Sequence, residues 1–204
     1  MPSDSFAGDY LREVAEITAR LDPAALEAMA AGIAGVRDRG GRLFVLGVGG
    51  GAAHASHAVN DFRKLCALES YAPTDNVAEL TARTNDEGWD TSFSAWLRTS
   101  RLHARDGLLV FSVGGGSREA GISVNVAGAV ELAHETGAPV YGIVGRADGA
   151  TARLADVAIV IEAPAERLTP HVESFQCVLW HLLISHPALA AGSAKWESVG
   201  AEPA

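Results

Sequence analysis

Residues 43–52 read LFVLGVGGGA, a short and continuously apolar run followed by a glycine-rich turn. The run at 43–46 is typical of a parallel strand that is buried on both faces. We expect a helix to start near Ala52. Residues 108–117 read LLVFSVGGGS and repeat this order, with a helix expected from about Arg118 to Thr136. Strands that feed helices through glycines predict an α/β protein with a parallel sheet.

The N-terminal segment 5–39 predicts a pair of helices. Its apolar residues recur at three- and four-residue spacing. Asp22-Pro23 supplies an N-cap and a first-turn proline to the second helix, and Gly40-Gly41 ends it. The two apolar stripes are Leu11, Val14, Ile17 and Leu21, and then Leu26, Met29, Ile33 and Val36.

The C-terminal half extends the same pattern. Residues 140–144 and 157–161 are further apolar runs and predict strands, and residues 170–185 predict a long helix. No linker or charge run divides the chain. We therefore expect a single domain over 1–204. It has a helical extension at 5–39, a sheet core with helices on both faces at 42–187, and a loose tail at 188–204.

Composition excludes several classes of function. The chain has 204 residues and a net charge of −9, which disfavours a broad nucleic-acid-binding surface. Cys66 and Cys177 lack CxxC spacing and are expected to be reduced core cysteines. With neither a secretory leader nor an apolar span in the sequence, we expect a cytoplasmic protein without membrane contact.

The two glycine-rich turns predict a phosphate site. Glycines bring backbone N–H groups close to an anion, and the helix that follows adds the positive end of its dipole. Ser112 and Ser117 add hydroxyl donors around the second turn. Tight turns without a ligand remain the structural alternative.

The first turn also fits the relaxed dinucleotide pattern G-x-G-x-x-G/A. Glu69 lies about twenty residues further on, where that pattern has an acidic residue. We expect no strand before Glu69, and the intervening helix is more polar than usual for packing on a sheet. Dinucleotide binding is therefore disfavoured.

A second set of candidates consists of histidines and carboxylates. His57 and Asp61 are four residues apart and share a helix face, and Glu173 and His181 lie nearly on one face of the last helix. This set suits Zn²⁺ or another divalent metal, or acid/base chemistry. A surface or capping pair remains an alternative. The other histidines are expected to be surface or structural residues: His54, His103, His134, His171 and His186.

Four motifs together resemble a known family. They read GVGGGAAHASHAVNDFR at 47–63, TNDEGWD at 84–90, FSVGGGSRE at 111–119 and HVESFQCVLWH at 171–181. In this order the chain, over about residues 5–187, is similar to the sedoheptulose 7-phosphate isomerase (phosphoheptose isomerase) branch of the SIS (sugar isomerase) domain family. The resemblance implies a flavodoxin-like sheet, a homotetramer with active sites between subunits, and an often zinc-dependent isomerase.

Site residues follow from the resemblance by position. It implies metal ligands at His57, Asp61, Glu173 and His181. It implies that the substrate phosphate lies with the second loop, and the sugar hydroxyls with the first loop and with Asn85 and Asp86. The loop residues concerned are Ser112, Val113, Gly114 and Ser117, and Gly47, Val48, Gly49, Gly50 and Gly51.

The implied reaction passes a proton between neighbouring carbons through an enediol. Asp61 is the expected base and His181 its partner, while His57 and Glu173 complete the metal shell; Glu173 is the alternative base.

The chain departs from the family pattern in both loops and in the carboxylates. Val48 stands for Asn and Gly51 for Ser in the first loop, and Val113 and Gly114 stand for Thr and Ser in the second. Asp61 replaces Glu, and Glu173 replaces Gln. These exchanges indicate a divergent subgroup. An isomerase of a different phosphosugar and a non-catalytic, regulatory sugar-phosphate-binding module stay open as alternatives.

Overall fold

The computed structural model describes residues 5–192 as alternating helices and strands. The strands are β1 (Leu43–Gly47), β2 (Ser70–Tyr71), β3 (Gly107–Ser112), β4 (Val140–Val144) and β5 (Val157–Val160). The helices are α1 (Phe6–Arg20), α2 (Pro23–Asp38), α3 (Gly50–Cys66), α4 (Val77–Glu87), α5 (Ser92–Thr99), α6 (Val124–Thr136), α7 (Ala150–Leu154) and α8 (Leu168–Ser185).

The five strands form one parallel sheet in the order β2-β1-β3-β4-β5. This is the flavodoxin-like order, and it confirms the predicted fold class. β1 pairs with β3 in the register Leu43 with Gly107 through Gly47 with Phe111. The two glycine-rich turns therefore leave adjacent strands at the same edge of the sheet.

Helices cover both faces of the sheet, because successive strand residues point to opposite sides. Val45 and Leu109 pack with α2, α3 and α8. Leu46 and Val110 pack on the other face with α5 and α6. α3 joins the first layer through small residues such as Ala55 and Ala58, so the expectation that it is too polar to pack on the sheet was wrong.

The N-terminal helical pair forms as predicted, and the Asp22 carboxylate accepts a 2.9 Å hydrogen bond from the Ala24 N–H. The stripe of α1 is narrower than expected: Ile17 is buried, but Leu11 is 67% exposed. None of the helices within residues 5–192 combines the length and apolar character needed to span a bilayer.

The structure differs from the sequence expectation in three segments. The helix expected from Arg118 begins at Val124, because residues 118–123 turn back on the second loop. No strand of the sheet precedes Glu69 between α3 and β2, as expected, but a short strand, β2, follows it, and β2, α4 and α5 fill an unassigned stretch. Residues 188–192 of the expected loose tail are described, and Arg37 holds the Leu189 carbonyl at 2.8 Å. The rest of that tail, 193–204, lies outside the described residues.

Candidate active site

A cavity of about 400 Å³ lies at the carboxyl edge of the sheet, between the ends of β1 and β3. The first glycine loop contributes Val48 and Gly51, and the second contributes Ser112, Val113 and Gly114. In open α/β sheets, ligands bind at this switch point, where the strand order reverses. The fold thus brings the two loops into one concave site.

The first loop is tight at Gly47 and Gly51, where there is no space for a side chain. A Cβ on Gly51 would lie 2.6 Å from the Phe111 carbonyl oxygen, and one on Gly47 would lie 2.2 Å from the Gly51 carbonyl. Gly49 has a φ of +60°, a conformation that favours glycine. Val48 lies at the tip of the loop, so an apolar side chain borders the cavity there.

Both serines of the second loop also hold its backbone in shape. The Ser112 hydroxyl accepts from the Gly115 N–H at 3.1 Å, and the Ser117 hydroxyl accepts from the Ala120 N–H at 3.1 Å. Each hydroxyl hydrogen is left to donate to an anion. Ser112 lines the cavity, whereas Ser117 lies outside its lining.

The segment after the second loop folds back over it. Ser117 and Ile122 exchange backbone hydrogen bonds of 2.7 and 2.9 Å. The Ile122 Cγ2 atom lies 2.9 Å from the position that a Cβ would take on Gly114. An apolar side chain therefore fills the space that a Gly114 side chain would need, and Ile122 borders the cavity.

Two histidines and a buried carboxylate converge where α3 meets α8. The Asp61 Oδ2 atom lies 3.5 Å from the His57 Nε2 atom and 3.7 Å from the His181 Nε2 atom. Asp61 is only 5% exposed. Its carboxylate accepts hydrogen bonds from the Trp180 indole at 3.3 Å and the Asn60 amide at 3.0 Å. These contacts fix the carboxylate while one face stays open to both imidazoles.

The backbone of α8 sets the tautomer of His181. The His181 Nδ1 atom lies 2.8 Å from the Cys177 carbonyl oxygen. Because that oxygen only accepts, Nδ1 carries a hydrogen, and Nε2 is the nitrogen that faces Asp61. A backbone carbonyl on the second imidazole nitrogen is the usual support of a metal-binding histidine.

The distances from Asp61 to the two imidazoles fit a divalent metal. Two ligands that each lie 2.0–2.2 Å from a tetrahedral zinc ion are separated by about 3.4 Å. The Asp61–His57 and Asp61–His181 separations of 3.5 and 3.7 Å are close to that value. Two imidazoles and one carboxylate form a donor set that suits Zn²⁺.

Thiolate chemistry is disfavoured beside this cluster. Burial, followed by the charge of Asp61, raises the pKa of the Cys177 thiol. Burial likewise raises the pKa of Cys66 to about 11. Both cysteines are free, and their thiols stay protonated at neutral pH. Cys66 is buried as expected of a core cysteine, whereas Cys177 is only half-buried.

Glu173 is placed apart from the His57, Asp61 and His181 group. Its carboxylate lies against Gly50, where a Cβ would come within 2.6 Å of the Glu173 carboxyl carbon. Gly50 is the first residue of α3, and the positive end of a helix dipole stabilises a carboxylate. Glu173 also lines the cavity, so its charge faces the space between the two loops.

Asn85 and Asp86 lie at the exposed end of α4, outside the lining of the cavity. They bond to each other, with 2.7 Å between the Asn85 Nδ2 atom and the Asp86 Oδ1 atom. A single chain therefore does not bring them to the two loops.

Sequence patterns missed several residues of the cavity. Gln176 is buried, and its side chain joins His54 at 3.1 Å to the Ile143 carbonyl at 3.2 Å. The sequence feature that could have identified Gln176 is its position one helical turn after Glu173. Arg146 lies two residues after the end of β4, and this position is the sequence feature that could have identified it. The remaining missed lining residues are Phe111, Ile122, Ser123, Leu168 and Thr169.

The strand order and the paired glycine loops at the switch point define an α/β protein of the flavodoxin-like class. The sequence model of the SIS domain matches residues 9–145, more than half of the chain. The chain therefore belongs to the SIS domain family.

Curated relatives cover most of the chain. The "Phosphoheptose isomerase" of Chlorobium phaeobacteroides is 33% identical over 184 residues, which are 86% of this chain and 76% of that protein. The "Lincomycin biosynthesis protein LmbN" of Streptomyces lincolnensis is 33% identical over 190 residues, covering 88% of this chain and 67% of that protein. These likenesses confirm the family resemblance stated from the four motifs.

A solved structure agrees with the fold. The phosphoheptose isomerase from Neisseria gonorrhoeae superposes with a TM-score of 0.75 at 27% sequence identity. The match covers 87% of this chain and 92% of that one, so the likeness extends over most of both chains.

Proposed function

We propose that this protein is an aldose–ketose isomerase that converts sedoheptulose 7-phosphate to a heptose 7-phosphate. The observation that carries the proposal is the convergence of the His57 Nε2, Asp61 Oδ2 and His181 Nε2 atoms. Enolisation needs a base, an acid and stabilisation of charge on oxygen, whereas binding alone needs none of them. The names of the relatives support the same reaction class.

The layout of α8 supports a long substrate. Glu173 lines the cavity and His181 belongs to the metal-type cluster, eight residues further along the helix. Eight residues advance about 12 Å along the helix axis. An extended heptulose 7-phosphate spans about 10 Å from C1 to phosphorus at roughly 1.2 Å per bond. The phosphate then lies between the loops while the reacting carbons lie near the cluster.

Asp61 and His181 move the protons in this proposal. Asp61 takes the proton from the hydroxyl-bearing carbon beside the ketone and returns it to the former carbonyl carbon. His181 exchanges the hydroxyl protons through Nε2 when that nitrogen holds no metal, and water exchanges them when it does, so no net proton is gained or lost. Glu173 is the alternative base, because its carboxylate faces the cavity next to Gly50.

His57, Asp61 and His181 would hold a divalent metal, with Zn²⁺ as the proposed ion. When bound, the ion acts as a Lewis acid that polarises the carbonyl. The Trp180 indole and the Cys177 carbonyl keep two of the protein groups oriented with or without it. In this geometry Glu173, expected as a fourth ligand, faces the cavity instead.

A different phosphosugar is the second candidate substrate. Val48, Val113 and Ile122 place apolar groups around the cavity. A pocket that lacks hydrogen-bond donors discriminates among sugars differently from one that has them.

We also expect a homotetramer, as the family resemblance implies. The exposed apolar side chains of Phe6 and Leu11 on α1 support self-association. Light scattering after gel filtration measures the mass directly. In a tetramer, Asn85 and Asp86 would serve a neighbouring subunit's site.

The direct test follows sedoheptulose 7-phosphate in D₂O by NMR, with metal-free and Zn²⁺-loaded protein. An aldose 7-phosphate with deuterium at the carbon next to its carbonyl is expected. Asp61→Ala and His181→Ala should each lower kcat by about 100-fold or more. The matched control is Glu135→Gln, an exposed carboxylate on α6.

Other outcomes separate the alternatives. Turnover of another ketose phosphate, with none of sedoheptulose 7-phosphate, identifies the second candidate. Binding without turnover in both metal states identifies a binding module. If Glu173→Gln abolishes turnover while Asp61→Ala does not, Glu173 is the base.

A further inference from the structure

We propose that Arg146 binds the phosphate of the substrate and fixes the direction in which the substrate lies. This inference rests on the proposed use of a phosphorylated sugar, and it names a residue outside both glycine loops. Arg146 lines the same cavity as Ser112 and Gly114. Among the described residues, Arg146 is the only Lys or Arg that lines this cavity.

The turn that carries Arg146 is attached to the second glycine loop. The Gly145 N–H donates to the Val113 carbonyl at 2.9 Å, and the Ala150 N–H donates to the Gly116 carbonyl at 2.7 Å. The Thr151 hydroxyl donates to the Gly115 carbonyl at 2.7 Å. These bonds fix the backbone around Arg146 relative to the loop expected to hold the phosphate.

Glycine at position 149 makes this attachment possible. A Cβ there would lie 2.5 Å from the Gly114 carbonyl oxygen. The turn between β4 and α7 therefore reaches van der Waals contact with the second loop along its backbone. Arg146 and the loop form one surface.

Arg146 is oriented and still has donors to spare. Its Nε and Nη2 atoms donate to the Asp148 carboxylate at 3.0 and 2.8 Å. This pair uses two of the five guanidinium N–H groups, so three remain for a ligand. A guanidinium matches the spacing of phosphate oxygens, and its charge strengthens each hydrogen bond.

The charge of Arg146 matters because, of the two loops, only Ser112 brings a side-chain hydroxyl to the cavity lining. Val113 and Gly114 carry no hydroxyl, and Ile122 covers the second loop with an apolar side chain. The chain as a whole carries a net charge of −9. A doubly charged phosphate enters such a site more favourably when a cation faces it.

The charges across the cavity also set a direction. Arg146 lies on the turn after β4, whereas the Glu173 carboxylate lies on α8 against Gly50. The phosphate can accept hydrogen bonds from the guanidinium N–H groups of Arg146 that Asp148 leaves free, whereas the Glu173 carboxylate repels it. The phosphate end therefore lies toward Arg146, and the uncharged sugar hydroxyls lie toward Glu173.

Binding measurements test this independently of catalysis. Calorimetry with sedoheptulose 7-phosphate, and competition by inorganic phosphate, are carried out on the wild-type protein and on Arg146→Met. We expect the Met variant to bind both ligands about 10- to 100-fold more weakly. Arg146→Lys should fall between the two. Arg98→Met, an exposed arginine on α5, is the matched control and should bind like wild type.

Each outcome decides the proposal. Equal affinities of wild type and Arg146→Met overturn it, and so does a wild-type protein that binds neither probe. A thermal melt of each variant separates loss of the ligand contact from loss of the fold. If Arg146→Met weakens phosphate binding although the wild type shows no turnover, the Arg146 proposal stands and the isomerase proposal fails.

Discussion

At the scale of single residues, Asp61 and Gly51 show how the site depends on close packing. Asp61 is buried, and two side-chain donors hold it next to two imidazoles. Gly51 lets α3 approach the end of β3 until only a hydrogen atom fits in between. Both residues determine the positions of the reactive groups, and the chemistry of the site depends on those positions.

Removing one imidazole should weaken metal binding without unfolding the protein. His57 is exposed on α3, and His57→Ala takes away one of three converging ligand atoms. We expect Zn²⁺ affinity to fall by about 100-fold or more, since even outer-shell losses cost 10- to 100-fold. Competition with a chromogenic chelator measures this. His134→Ala, on the exposed side of α6, should bind Zn²⁺ like wild type.

The same substitution at two glycines should have opposite effects on stability. Gly51→Ala places a methyl group 2.6 Å from the Phe111 carbonyl oxygen and should cost about 1–3 kcal/mol. Gly35→Ala in α2 meets its nearest atom at 3.6 Å and should gain about 0.5–1 kcal/mol in helix propensity. Urea unfolding measures both, and equal midpoints for the two variants would contradict the packing argument.

At the scale of elements, an ion cluster joins α1 to the start of α8. Glu13 on α1 accepts from the Arg167 guanidinium and lies 2.8 Å from the His171 Nε2 atom. The buried His171 ring stacks on Tyr10 with a 4.4 Å centroid separation. His171, expected to be surface or structural, is thus a buried contact between two helices. The cluster precedes Glu173 by less than one turn of α8.

This cluster should make stability sensitive to acid. Hydrogen bonds from Arg167, and then from His171, lower the pKa of Glu13 from its ordinary 4.5 to about 2. A lowered pKa stabilises the fold above the unfolded value, and this contribution disappears as pH falls from about 4.5 to about 2. Wild type should therefore exceed Glu13→Gln in stability at pH 7, and the difference should shrink across that interval. A constant difference between pH 7 and pH 2 would count against it.

The sequence predicted the helices and strands whose apolar residues follow a clear pattern and missed those whose apolar residues do not. β1, β3 and β4 contain continuous apolar runs, and the apolar residues of α2 recur at regular helical spacing. The three strands and the helix could therefore be predicted. β2 has only two residues, and α4 buries none of its side chains, so neither shows a pattern. Helix α6 was expected six residues early, because the turn from Ser117 to Ile122 depends on a backbone pairing.

The sequence predicted those residues of the candidate site that lie close to one another along one helix or one loop. His57 and Asp61 are one turn apart, and both glycine loops follow strands. Arg146 becomes a neighbour of the loops only through the strand order, which no local spacing reveals. The direction of the Glu173 carboxylate depends on the space left by Gly50, which also requires the folded chain.

At the scale of the whole molecule, the two edges of the sheet have different tasks. The carboxyl edge carries the cavity. At the amino edge, the buried Asp106 binds the Arg42 guanidinium at 2.7 Å and the Arg42 N–H at 3.0 Å. Burial alone would raise the pKa of Asp106, but these bonds and the His103 N–H hold it below the usual range. This contact fastens the starts of β1 and β3.

Breaking the amino-edge contact should cost stability and spare the site. Asp106→Asn removes a buried charge partner of Arg42 and should cost about 3 kcal/mol. That corresponds to a fall in Tm of roughly 6–12 °C. Asp38→Asn, an exposed carboxylate next to Arg37, is the control and should melt within about 2 °C of wild type. Affinity for Zn²⁺ and for phosphate should be unchanged, and a loss of either would show that the two edges are coupled.

The central position of β1 has a consequence for the chain as the ribosome makes it. Leu43 pairs with Ser70 on one side and with Gly107 on the other, and both partners are synthesised later. At about 5–20 residues per second, the partner in β3 follows β1 after several seconds. During that time one apolar edge of β1 is unpaired, and such edges recruit other chains. We therefore expect a nascent chain of this protein to be prone to association until β3 leaves the exit tunnel, when the β1–β3 pair and both loops of the site can form together.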